Sequence, residues 1–218
     1  MNKYIMKDYL NIDDIEVGID EAGLGSVAGS FFVGAVILPK ECPDIEYFKL
    51  WNNIKDSKKL SKKKRYELVD YIKEIALDYA IVEVTNNQID TTNILIERLK
   101  SYHDVLDKLS IIPDNILVDG DKFKPYLSPD AEFIPHVCIE KGDNKFRSIA
   151  AASIIAKTSK DDQVLEMHEE YSVYGWDTNS CYLTNKHKES ILEYGITKYH
   201  RRTFGICKQW KELPQTYI

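Results

Sequence analysis

Asp20 and Glu21 stand side by side at the end of an apolar run, in Val17-Gly18-Ile19-Asp20-Glu21-Ala22-Gly23-Leu24-Gly25. Successive residues of a strand point to opposite faces, so a half-buried strand has room in water for only one of these carboxylates. Burying a charge is costly unless a cation or hydrogen-bond donors compensate it. A divalent metal ion would compensate two acids at once, which makes the pair a candidate active site. Asp119 ends a second apolar run, Ile116-Leu117-Val118-Asp119-Gly120. Alone it reads as a turn aspartate before glycine; if its strand neighbours the first, it sits beside Asp20.

A fourth acid comes from a run rich in small residues, Ser148-Ile149-Ala150-Ala151-Ala152-Ser153-Ile154-Ile155-Ala156-Lys157. As a helix this run can pack closely on a sheet. Ala150, Ser153, Lys157 and Asp161 then share one face, with Asp161 at the edge of the close-packed stripe. A solvated Lys157–Asp161 pair is the competing reading. Lys58-Lys59-Leu60-Ser61-Lys62-Lys63-Lys64-Arg65 puts cations at an expected helix start, where the dipole disfavours them. A phosphate backbone would relieve that conflict, and a plain solvated face is the alternative. His200-Arg201-Arg202 is a second basic cluster.

The elements that must position these groups follow from pattern. Residues 16–19, 31–38, 79–85, 115–118 and 133–139 read as strands. Helices are expected after a cap at Ser61, along Leu95, Leu99, Tyr102, Leu106 and Leu109, from Lys145 to about Tyr171, and from Asn185 to Tyr194. Strands come first as a hairpin, then alternate with helices, and the last part is mainly helical. This predicts an α/β fold with a sheet of about five strands flanked by helices. One domain over 1–218 is expected, with a helical C-terminal segment from about 172.

Gly23-Leu24-Gly25-Ser26-Val27-Ala28-Gly29 is not a dinucleotide fingerprint: its spacing is wrong and a strand, not a helix, follows. The glycines suit a tight turn or close backbone approach to a ligand. Net charge is −6, which argues against grip on nucleic acid by bulk positive charge but leaves room for a local basic groove. No apolar run of about 18 residues is present, so no membrane span is expected. The first residues lack the apolar core of a signal peptide, so a reducing, cytoplasmic location is expected. Cys42, Cys138, Cys181 and Cys207 then read as free thiols.

Five blocks in order resemble type 2 ribonuclease H, the ribonuclease HII group. They are Gly18-Ile19-Asp20-Glu21-Ala22-Gly23, Asp56-Ser57-Lys58-Lys59-Leu60-Ser61, Val118-Asp119-Gly120, Ser148 to Lys157 with Asp161, and His200-Arg201-Arg202-Thr203-Phe204. The resemblance implies an RNase H-like fold with a mixed sheet. It implies endonucleolytic cleavage of the RNA strand of RNA–DNA hybrids and of ribonucleotides embedded in duplex DNA. Its four acids fall on Asp20, Glu21, Asp119 and Asp161 as catalytic metal ligands. Mg²⁺ or Mn²⁺ is implied, as two ions supporting in-line hydrolysis to 5′-phosphate and 3′-hydroxyl ends.

Substrate contacts are implied at Gly23, Leu24, Gly25, Lys58, Lys59, Tyr182, His200 and Arg201, and a monomer is expected. Two blocks depart from the family. Leu24 stands where it has arginine between two glycines, and Cys181-Tyr182-Leu183 stands where it has glycine–tyrosine–glycine. These departures motivate one alternative, a non-cleaving hybrid-binding protein; the other is a DNA-acting two-metal nuclease on the same fold.

Overall fold

The computed structural model describes residues 6–55 and 61–210. Lys58 and Lys59 therefore lie outside the described residues. The chain folds as two compact units. The first takes in the chain up to Ala22, Val33–Val82 and Leu99–Thr158; the second takes in Gly23–Phe32, Glu83–Arg98 and the chain from Ser159.

Along the chain run β1 (Glu16–Ala22), β2 (Phe31–Ile37), α1 (Phe48–Trp51), α2 (Lys62–Ile75), β3 (Asp78–Val84), α3 (Asn86–Thr91) and α4 (Ile94–Leu106). Then come β4 (Asn115–Asp119), β5 (Tyr126–Leu127), β6 (Phe133–Ile134), β7 (His136–Ile139), α5 (Arg147–Glu170), α6 (Trp176–Asn179) and α7 (Asn185–Tyr194). The main sheet is five-stranded in the order β3-β2-β1-β4-β7, so the α/β class and strand count agree with expectation.

One expected strand is two. Residues 133–139 break at Pro135, which has no N–H for a ladder. Before it, β6 pairs with β5 as a separate antiparallel hairpin; after it, β7 joins the main sheet parallel to β4.

In the first unit, β2 is buried at every position, as a strand covered on both faces should be. It contributes Val36 to a core with Trp51, Ile54, Leu68, Val69 and Ile72. The last three belong to α2, whose N-cap is Ser61, with its side chain accepting from the Lys64 N–H. Ala150, Ala151, Ala152, Ile154 and Ile155 of α5 complete the cluster. The small residues matter because helix and sheet meet backbone to backbone. A Cβ on Gly18 of β1 would lie 2.2 Å from the Ser148 carbonyl carbon and 2.3 Å from the Ile149 nitrogen. One on Gly34 of β2 would lie 2.6 Å from the Ala152 oxygen.

The second unit has its own core, in which Val27 and Ala28 pack with Val164, Met167, Tyr174, Trp176, Cys181 and Ile191. Thr184 caps α7 by accepting from the His187 N–H. Thr85 and Gln88 form a reciprocal capping box at the start of α3. All four cysteines are free. Among the described residues no helix is long and apolar enough to cross a membrane.

Candidate active site

The parallel register of β1 and β4 pairs Ile19 with Val118, so the next step sets Asp20 beside Asp119. Asp20 is 5 % exposed. Its carboxylate accepts from the Glu21 N–H at 2.7 Å and from the Ser153 hydroxyl of α5. Burial first, then the charges of Glu21 and Asp119, holds this carboxyl well above the ordinary aspartate range, although both hydrogen bonds act the other way. Asp119 Oδ1 accepts from the Gly142 N–H at 2.6 Å. Glu21 Oε2 accepts from the hydroxyl of Tyr102, a fully buried residue of α4.

Three carboxylates thus interact in the first unit, each oriented by a donor from a different segment. Carboxylates crowded around the buried Asp20 fit a hard divalent cation, which takes oxygen ligands and supplies the missing positive charge. Among the described residues no three His, Cys, Asp or Glu side chains already stand as a metal-binding group. Asp161 belongs to the second unit, on α5, and is 8 % exposed.

The turn 23–25 also belongs to the second unit. Gly23 has φ +102°, and a Cβ there would lie 3.1 Å from the stem of Lys160 and from the Ser30 oxygen; only glycine fits. The Ser26 N–H returns to the Gly23 oxygen at 3.2 Å. Leu24 is half-buried and Gly25 exposed. A Cβ on Gly25 would lie 3.5 Å from the Tyr182 ring. Tyr182 is 47 % exposed, with the Lys160 ammonium 5.0 Å from its ring centroid. That ammonium donates to the Ser180 oxygen at 2.8 Å.

The segment entering Tyr182 is strained: Ser180 has φ +49° and Cys181 φ +65°. Left-handed backbone at a non-glycine residue costs about 1–2 kcal/mol. The backbone at 181 therefore keeps a glycine-like conformation although the side chain is cysteine.

His200 and Arg201 are not surface contacts. Both are fully buried, which corrects their reading as groups that touch substrate. Arg201 goes inside because three backbone carbonyls need donors there: its Nε donates to Gly29 O at 2.9 Å, Nη1 to Leu24 O at 2.8 Å and Nη2 to Gly23 O at 2.8 Å. His200 Nδ1 accepts from the Thr197 N–H at 2.9 Å, so its proton sits on Nε2, 3.3 Å from His187 Nε2. His187 Nε2 also accepts from the Trp176 indole N–H at 3.0 Å. Its proton is then on Nδ1, which donates to the Tyr182 oxygen at 2.9 Å. Pattern reading had no signal for His187, Trp176 or Tyr102; Tyr102 in particular lies in an apolar helical stripe and reads as core.

Both histidines are held neutral. Burial, with the neighbouring His187, pulls His200 down to about 3, and burial also lowers His187. In the unfolded chain His200 takes up a proton near pH 6.5, whereas the folded chain refuses it until about 3. Stability is therefore whole above pH 6.5 and falls progressively as pH drops towards 3, by about 1.4 kcal/mol per pH unit for each proton. Urea unfolding between pH 7 and 4 should show His200→Gln with a shallower acid slope than wild type, by about one proton. Parallel slopes would mean that His200 protonates in the fold.

A family model described as Ribonuclease HII matches residues 17–207. The chain is similar to Ribonuclease HII of Bacteroides thetaiotaomicron, 46 % identical over 198 residues that cover 91 % of this chain and 93 % of that protein. Its fold is similar to that in the crystal structure of the ribonuclease H2 from Pyrococcus horikoshii OT3, with a TM-score of 0.72 and 26 % identity over 90 % of this chain and 97 % of that one. It is also similar to Bst-RNase HIII in complex with Mn²⁺, with a TM-score of 0.59 and coverage of 84 % and 71 %. At 19 % identity the latter is a likeness of fold.

Proposed function

The chain belongs to the ribonuclease HII family, and from that premise we propose how its own residues serve an endonuclease that cuts the RNA strand of RNA–DNA hybrids. The observation that carries the proposal is Asp20, buried against Glu21 and Asp119 and displaced towards its protonated form. Asp20, Glu21 and Asp119 would hold divalent metal, with Asp161 as the fourth acid. Mg²⁺ or Mn²⁺, as two ions, suits these oxygen donors. When bound, such ions lower the pKa of water and offset charge at the scissile phosphate.

The protein contributes fixed orientation. Ser153 and the Glu21 N–H hold Asp20, the Gly142 N–H holds Asp119, and Tyr102 holds Glu21. The carboxylates therefore need little rearrangement when charge develops, the condition under which electrostatic stabilisation is strongest. Hydrolysis here requires no side-chain nucleophile and leaves 5′-phosphate and 3′-hydroxyl ends.

The second unit's turn offers main-chain N–H groups of the kind that can read a ribose hydroxyl, and the exposed Tyr182 ring offers a stacking face. Leu24 contributes no cation for phosphate. Cleavage of three duplexes with Mg²⁺ and with chelator tests the reading: a continuous hybrid, a DNA duplex with one ribonucleotide, and all-DNA. Metal-dependent cutting of the first two, and none of the third, is expected. Binding without cutting, or attack on all-DNA, would overturn it.

A further inference from the structure

Resting on that reading of the turn and Tyr182, the structure assigns Arg201 and the His187–His200 pair as positioning residues that set the main-chain geometry of both elements. None of the three side chains is exposed, so none can act by touching nucleic acid. What they hold is backbone.

The Arg201 fork takes the carbonyls of Gly23, Leu24 and Gly29. A trans peptide is planar, and its C=O and N–H point in opposite directions. Drawing the Gly23 and Leu24 oxygens onto a buried guanidinium therefore turns the N–H groups of Leu24 and Gly25 outward. The third carbonyl is consistent with this geometry: opposite the Gly29 oxygen, the Ser30 N–H donates to Gln163 Oε1 at 2.8 Å. The outward donors sit where the surface opens, since Gly25 is exposed beside the Tyr182 ring.

The histidine pair does the corresponding work for Tyr182. The neutral tautomers form one directed chain. The Thr197 N–H is accepted by His200, whose Nε2–H points to His187 Nε2, and His187 donates from Nδ1 to the Tyr182 oxygen. The Trp176 indole N–H shares the His187 Nε2 lone pair with His200, at the shorter distance of 3.0 Å. This hold is needed because Ser180 and Cys181, which lead into Tyr182, lie in left-handed backbone; such strain persists only when the surroundings over-determine it. His200 and Arg201 are consecutive, so one segment serves both elements.

The test uses the full chain with Mg²⁺ and the variants Arg201→Lys and His187→Gln. Lysine keeps the charge but lacks the planar fork that reaches three carbonyls. Single-turnover cleavage is measured on a DNA duplex carrying one ribonucleotide and on the same duplex with 2′-fluoro in its place, alongside duplex affinity and circular dichroism.

The assignment expects folded variants with near wild-type affinity. Their single-turnover rates on the ribose substrate should be about 10–100-fold lower, with a smaller ribose-to-fluoro rate ratio. A merely structural role would scale both rates by the folded fraction and leave the ratio untouched, and that result would overturn the assignment. If Arg201→Lys does not fold, His187→Gln, which leaves the Arg201 fork whole, decides by the same ratio. Wild type that cuts neither the ribose duplex nor a continuous hybrid would overturn the functional reading instead.

Discussion

Asp20→Asn should remove cleavage of an RNA–DNA hybrid while leaving hybrid affinity close to wild type. Losing one ligand forfeits several kcal/mol of transition-state stabilisation, on the order of a 10³-fold rate loss at 1.36 kcal/mol per tenfold. The same variant should be more stable than wild type when no divalent ion is present. Burial and the charges of Glu21 and Asp119 raise the Asp20 pKa. The stability tied to its proton is therefore present at low pH and lost as pH rises through the raised value. At neutral pH the ionised side chain opposes folding, and asparagine removes that opposition at every pH.

Melting in chelator should accordingly favour the variant, more so at pH 8 than at pH 5, with about 2–4 °C for each kcal/mol recovered. Added Mg²⁺ should raise the wild-type melting temperature more than that of the variant. Full cleavage activity in Asp20→Asn would sink the metal-site assignment.

Gly18→Ala should be among the most damaging single substitutions in the first unit. The added methyl would lie 2.2 Å from the Ser148 carbonyl carbon and 2.3 Å from the Ile149 nitrogen. These are backbone atoms of α5 and cannot rotate away, so the helix must lift off the sheet. Overpacking of this kind costs about 3 kcal/mol or more, or roughly 6–12 °C in melting temperature. Gly34→Ala meets the Ala152 oxygen at 2.6 Å and should act in the same direction. The lift would also separate Ser153 from Asp20, so any surviving protein should bind metal more weakly. A melting temperature within about 2 °C of wild type would show that the helix has room to move.

The most legible parts of the sequence were those where local pattern and burial make one demand. Two adjacent carboxylates in an apolar strand cannot both be solvated, so Asp20 and Glu21 announce a partner. The run of alanines and serines announces close packing, which Gly18 and Gly34 complete from the sheet side. Ser61 capped its helix as expected. The Thr85–Gln88 capping box of α3 was available as a local signal, and so was Pro135 between β6 and β7.

The rest depends on distant partners. Arg201 looks like a surface cation because nothing nearby in sequence reveals three carbonyls about 170 residues earlier waiting for its fork. His187 and His200 form a pair only when α7 and the following loop come together. Tyr102 fits an apolar stripe, and its hydroxyl gains meaning only from Glu21.

The Arg201 fork grips main-chain oxygens and makes no demand on the side chain at position 24. Position 24 is thus uncoupled from the shape of the turn that carries it. A residue there can change without dragging the turn's main-chain geometry along. In a saturation library at Leu24, folded yield should stay nearly flat across polar, charged and aliphatic residues while substrate preference varies, making this an evolvable site on a fixed frame.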